Sequence, residues 1–108
     1  MVSREKEPHL KDVAQGFAAI GSEARLQVVL TLVRAGREGL TIGEIQTRTA
    51  MPASTLAHHL KFLTSAGLVE QEKLGRSVVN RANFSTLGML ATYILEQCCA
   101  DAPGDCGE

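Results

Sequence analysis

One continuous stretch, Pro52 to Val69 (PASTLAHHLKFLTSAGLV), restricts what this chain can fold into more than any other. Leu56, Leu60 and Leu63 recur at the i, i+4, i+7 spacing of a buried helical face, with Phe62 and His59 beside it. Ser54 is placed as an N-cap. Gly67 is placed as the stop, where a residue without Cβ takes the left-handed conformation at little cost. Ser54, Thr55, Ala57, His58 and Lys61 fall on the opposite side. That outer face is short, polar and mildly basic, with no carboxylate, which suits a helix laid into a DNA major groove.

The segments on either side give this helix its setting. His9 to Ile20 reads as a helix with Leu10, Val13, Phe17 and Ile20 as its stripe, and residues 1–8 as a loose charged arm. Ser22 caps a second helix to about Ala35, with Leu26, Val29, Leu30 and Val33 inward. Thr41 with Glu44 three residues on is a capping box, opening a short third helix with Ile42 and Ile45 inward. Only Ala50, Met51, Pro52 and Ala53 then separate it from the central helix, so the pair forms a helix-turn-helix.

Two strands follow, Leu68 to Lys73 and Ser77 to Ala82, with Lys73 and Arg76 at the tip of their hairpin. A hairpin with a cationic tip placed directly after a helix-turn-helix is a wing, which reaches the DNA backbone or the adjacent minor groove. Asn83 caps a last helix to about Cys99. That helix has two apolar sides: Phe84, Leu87, Ala91, Ile94, Leu95 and Cys98 on one, and Met89, Leu90 and Tyr93 on the other. Two apolar sides imply two packing partners, its own core and a second subunit, with the first helix joining the same seam. The expected fold is therefore mainly α with a β-hairpin wing, in the order α-α-α-α-β-β-α, and a homodimer through the first and last helices. Residues 1–99 form one winged helix-turn-helix domain and 100–108 a short acidic tail.

Charge and cysteine usage bound the function. The chain has 108 residues and a net charge of -1, but the charge is segregated. Arg48, Lys61, Lys73, Arg76 and Arg81 outnumber Glu70 and Glu72 in the centre, while Glu96, Asp101, Asp105 and Glu108 stand without a cation at the end. The centre can meet phosphate and the tail cannot. No apolar run reaches the ~18 residues of a membrane span and no signal core is present, which implies a soluble cytoplasmic protein. No glycine-rich phosphate loop, activated serine or paired carboxylates suggest an enzyme, and no cofactor is implied. The three cysteines all lie in the last eleven residues, an odd and local set that is no disulfide framework.

The segment AAIGSEARLQVVLTLVRAG, and above all STLAHHLKFLTSAGLVEQEKLGRSVVNRAN, resembles the ArsR/SmtB family of dimeric winged-helix repressors over about residues 10 to 99. The resemblance implies a homodimer that represses its own operon by binding a palindromic operator and leaves it on meeting a metal ion, a metalloid or a thiol oxidant. The cysteine pair that many members carry at the start of the third helix has no counterpart in LTIGEI. The aspartate and histidine ligands of zinc-responsive members have none between Phe84 and Cys99. A subgroup of arsenic-responsive members is more similar, ending its last helix with adjacent cysteines and a third a few residues on.

Cys98 and Cys99 are expected about 100° apart at a helix end, with Pro103 and Gly104 turning Cys106 back toward them. Three thiolates suit a soft trivalent centre such as As(III) or Sb(III), whereas zinc normally takes a fourth protein ligand. A methylated or phenyl trivalent arsenical is served by Cys98 and Cys99 alone. The leading expectation is a DNA-binding repressor of an arsenic-resistance-type operon, contacting double-stranded DNA through Ser54, Thr55, Ala57, His58, Lys61, Lys73 and Arg76. It would be induced at Cys98, Cys99 and Cys106. Two alternatives stand beside it: the same DNA face governed by a disulfide switch, and a winged helix that serves as a protein interaction module without DNA.

Overall fold

The computed structural model describes residues 8–102, so residues 1–7 of the arm, and Pro103, Gly104 and Cys106, lie outside the described residues. The chain runs α1 (Leu10–Ile20), α2 (Glu23–Ala35), β1 (Leu40–Thr41), α3 (Ile42–Thr49), α4 (Ala53–Ser65), β2 (Val69–Leu74), β3 (Ser77–Ala82) and α5 (Phe84–Leu95), with one 3-10 turn at Gly36–Glu38. This is the expected order with one addition. Strand β1 pairs antiparallel with β3 (Leu40 opposite Asn80, Thr41 opposite Val79), which makes β3 the centre of a three-stranded sheet instead of one arm of a free hairpin. Two residues are too few to carry a strand periodicity in sequence.

Local chemistry sets most of the helix ends. The Ser22 hydroxyl accepts from Arg25 N–H, and the Thr41–Glu44 capping box is complete in both directions, at 3.2 and 2.8 Å. Helix α4 closes as a Schellman motif: Gly67 (φ 80°) donates to Thr64 O and Leu68 to Leu63 O, both at 3.0 Å, while the Leu63 and Leu68 side chains are fully buried. Ser54 is not the N-cap of α4. Pro52, in extended conformation, takes that place and accepts Leu56 N–H, which moves the helix start forward and leaves the Ser54 side chain on the surface.

The core gathers between α2, α3, α4 and the sheet, with Val28, Leu32, Ile45, Leu56, Leu63, Leu68 and Val69 its most buried apolar side chains. At roughly 1.5–3 kcal/mol for each fully buried aliphatic side chain, this cluster dominates the stability of the domain. Helix α2 presents a different face from the one its leucines suggest. Val28, Val29, Thr31 and Leu32 are buried, and Leu26, Leu30 and Val33 are half-exposed. Apolar residues surround α2, so periodicity does not choose between its faces; packing against α3, α4 and β3 does. Ile42 likewise turns outward while Ile45 is fully buried. In α1, Val13, Gly16 and Ala19 are buried and Leu10 is 70% exposed.

Helix α5 packs chiefly on α1, where Leu90 sits against Gly16. Of its two apolar bands, Leu90 with the half-buried Met89 and Tyr93 meets the core, while Ala91, Ile94 and Leu95 of the other are exposed; Leu87, expected with these three, is instead half-buried against the core. The helix stops at Leu95, four residues short of Cys99. Glu96 and Asp101 are unfavourable at the negative end of a helix dipole, and no apolar side chain there reaches the core. Residues 96–102 instead form successive turns, in which Cys98 N–H bonds Leu95 O and Ala102 N–H bonds Cys99 O.

Candidate nucleic-acid interface

Burial of Leu56, Leu60 and Leu63 fixes the roll of α4, and Ser54, Thr55, Ala57, His58 and Lys61 are consequently all exposed on one side of it. The turn into α4 is held by Ala50, whose φ of 62° is left-handed, and by bonds from Ala50 N–H to Gln46 O and from Gln46 Nε2 to Met51 O. No acidic side chain belongs to α4, and its first turn has no side-chain cap. Both features leave the outer face of this helix open to an anionic partner.

The wing is built on the same core. Six residue pairs from Val69–Ala82 to Leu74–Ser77 place Gly75 and Arg76 at its turn, and Lys73 and Arg76 are exposed there. Arg81 is differently placed. Its Nη1 pairs with Glu72 at 2.7 Å and its Nε donates to Arg37 O at 2.8 Å, which turns a cation of the sequence into a strut between the wing and the loop before β1. The side chain of Asn80 is buried among the strands and bonds Leu40 O and Gln71. Gly39 (φ 73°) is required where it stands, because a Cβ there would lie 2.5 Å from Asn80 O.

Arg25 is a cation of this surface that sequence reasoning passed over. From α2 its guanidinium lies 4.2 Å above the ring of Phe62 and its Nε donates to Ala19 O, so it braces α1 and α4 together. Phe62, expected beside the buried face of α4, is instead 45% exposed, and the Arg25 guanidinium covers its ring, a pairing that no local pattern in the sequence signals. Beside it His59 packs at the edge of the core with Nδ1 buried and, among the described residues, without a hydrogen-bond partner. Burial, then the charges of Arg25 and His58, hold its pKa below the usual histidine value of 6.5. His59 is therefore neutral at neutral pH and adds no charge to the outer face. His58, with its ring centroid 6.1 Å away, is exposed.

Of the expected thiol ligands, Cys98 and Cys99 are brought together with their Sγ atoms 3.3 Å apart, while Cys106 lies outside the described residues. They reach that separation from turns, not from the end of a helix as expected. Cys99 has φ 61°, a left-handed conformation uncommon for a residue with a side chain. Cys98 is exposed and Cys99 half-buried.

Comparison with known proteins agrees with this geometry. A helix-turn-helix domain family matches residues 20–72, which span α2 through most of β2. The HTH-type transcriptional regulator YbzH of Bacillus subtilis (strain 168) is 26% identical over 90 residues, covering 72% of this chain and 90% of that protein. Among solved structures, an ArsR-like transcriptional regulator from Rhodococcus sp. RHA1 is 30% identical with a TM-score of 0.70, covering 80% of this chain and 78% of its own. The homodimeric winged helix-turn-helix domain of Mb0332 from Mycobacterium bovis shares the fold with a TM-score of 0.67, at 24% identity and 96% coverage of both chains. No single helix among the described residues is long and apolar enough to cross a membrane.

Proposed function

The chain belongs to the ArsR family of winged helix-turn-helix transcriptional regulators, and on that premise we propose that it is a homodimeric, cytoplasmic repressor of an arsenic-resistance-type operon. It leaves its operator when As(III) or Sb(III) bonds to Cys98 and Cys99, joined by Cys106. The side of α4 that carries Ser54, Thr55, Ala57, His58 and Lys61 enters the major groove. Lys73 and Arg76 at the wing neutralise flanking phosphates.

The observation that carries the inducer is the 3.3 Å separation of the two sulfurs. A soft centre bonded to both at about 2.3 Å would subtend an S–centre–S angle of about 90°, well below the tetrahedral angle that structural zinc takes. An angle near 90° suits a pyramidal trivalent centre with a lone pair. Each thiol that bonds As(OH)3 loses its proton, and one hydroxide leaves as water, so no electron is transferred. Dimerisation is supported by the exposed Ala91, Ile94 and Leu95 of α5 and Leu10 of α1, an apolar surface that a second subunit would cover.

The test is an anisotropy titration of the reduced protein on a labelled fragment of its own upstream DNA, followed by arsenite, antimonite, a phenylarsenical, zinc and cadmium in turn. Release by the trivalent species alone, lost in Cys98→Ser and in Cys99→Ser, is the expected result. Operator binding that none of them reverses would remove the metalloid and leave the DNA-binding regulator.

A further inference from the structure

Asn83 joins the end of α4 to the start of α5 with every hydrogen-bonding group it has. Its backbone N–H donates to Leu68 O and its Nδ2 to Gly67 O, both at 2.9 Å. Its Oδ1 accepts Thr86 N–H at 3.1 Å and its carbonyl accepts Leu87 N–H at 3.0 Å. Two bonds thus hold the exit of the recognition helix and two hold the first turn of the helix that leads to Cys98 and Cys99. Gly67 and Leu68 are also the residues whose N–H groups close α4 on Thr64 and Leu63. A change in the direction of α5 therefore pulls on the last turn of α4 through one residue, by its backbone N–H to Leu68 O and its side chain to Gly67 O.

The residue type carries the inference further. Capping α5 needs only an acceptor, and serine, threonine or aspartate supplies one as well as asparagine. The donor to Gly67 O is a second function, which aspartate lacks entirely and serine is too short to combine with the cap. We propose that Asn83 is a positioning residue that couples the thiol site in the turns after α5 to the recognition helix, so that inducer binding is felt in α4 through the Asn83–Gly67 bond. This rests on the metalloid-responsive reading. Coupling of this kind is a difference in operator affinity between ligand-free and ligand-bound protein, typically 5- to 150-fold. A residue that transmits it alters that ratio, whereas a residue that only supports the fold alters both affinities together.

Asn83→Asp and Asn83→Ser keep the cap of α5 and remove the donor, and the pair separates the loss of the bond from the added charge of aspartate. Operator affinity of the full chain is measured by anisotropy with and without saturating arsenite, alongside thermal unfolding. Both variants should fold and bind operator within about threefold of the parent, while an arsenite effect of about a hundredfold in the parent falls below about tenfold in each. An undiminished arsenite effect in both variants overturns the proposal, as does operator binding that is lost before arsenite is added. A parent chain that arsenite does not release overturns the metalloid reading, and this coupling with it.

Discussion

Asn80 donates from Nδ2 to the carbonyl oxygen of Leu40 at 3.1 Å, across forty residues of sequence, and so ties the middle strand of the wing to the strand that precedes the helix-turn-helix. The same side chain accepts from Gln71 Nε2 at 2.7 Å, and it is 1% exposed. A buried amide with both ends bonded fixes where the wing leaves the core. Asn80→Ala leaves Leu40 O without its side-chain donor and opens a small void, so it should destabilise the fold by about 1–3 kcal/mol. Urea denaturation measures this. A change below about 0.5 kcal/mol, the usual range for surface sites, would show that the bond does not hold the wing.

Lys73 and Arg76 are exposed at the wing tip, whereas Arg81 is held by Glu72 and Arg37. Replacing Lys73 and Arg76 by alanine should weaken DNA binding on specific and unrelated sequences alike. It should also reduce the slope of log affinity against log salt by about 0.9 for each phosphate no longer neutralised. Arg81→Ala should leave that slope almost unchanged and show its effect in unfolding. Equal slopes in all three proteins would remove the wing from the DNA interface.

Ala50 adopts a left-handed conformation in the turn between α3 and α4, a geometry that costs an L-residue roughly 1–2 kcal/mol and glycine very little. Ala50→Gly should therefore raise stability by up to about 1 kcal/mol, the remainder being offset by the extra chain entropy of glycine when unfolded. A thermal melt decides the sign, and a lowered melting temperature would contradict the strain.

His59 has its pKa lowered by burial first, then by Arg25 and His58. The folded chain thus holds the neutral imidazole more strongly than the unfolded chain does. Its contribution to stability is complete above the unfolded value of 6.5, declines as pH falls from 6.5 toward the lower folded value, and is constant below that. His59→Gln should flatten this part of the stability profile while leaving stability at about pH 8 less affected. An unchanged profile in the variant would place the titration elsewhere.

The expectations that held were those set by chemistry within a few residues. The Thr41–Glu44 box, the Ser22 and Asn83 caps, the glycine stop at Gly67 and the Leu56–Leu60–Leu63 face all depend on groups within about two helical turns of one another. Because Leu56, Leu60 and Leu63 are buried, the exposure of Ser54, Thr55, Ala57, His58 and Lys61 followed without further information. The capping position of Ser54 did not hold, since Pro52 already offered the extended conformation from which the helix starts.

What the sequence by itself determined is the five helices and the two strands of the wing, their order and the outward face of α4, since each is encoded in local periodicity and capping. Tertiary structure alone decided the inward face of α2, because leucine and valine lie all round that helix and only packing against α3, α4 and β3 selects among them. It also decided the strand Leu40–Thr41, which exists through pairing with β3, and the conversion of Arg81 from a cation of the surface into a strut. The 3.3 Å approach of Cys98 and Cys99 belongs to the same class. A helical wheel separates adjacent side chains by about 100°, and the sulfurs meet only because α5 ends at Leu95 and the backbone at Cys99 turns left-handed. Distances of that kind depend on where a helix loses its packing, and the packing partners lie far away in sequence.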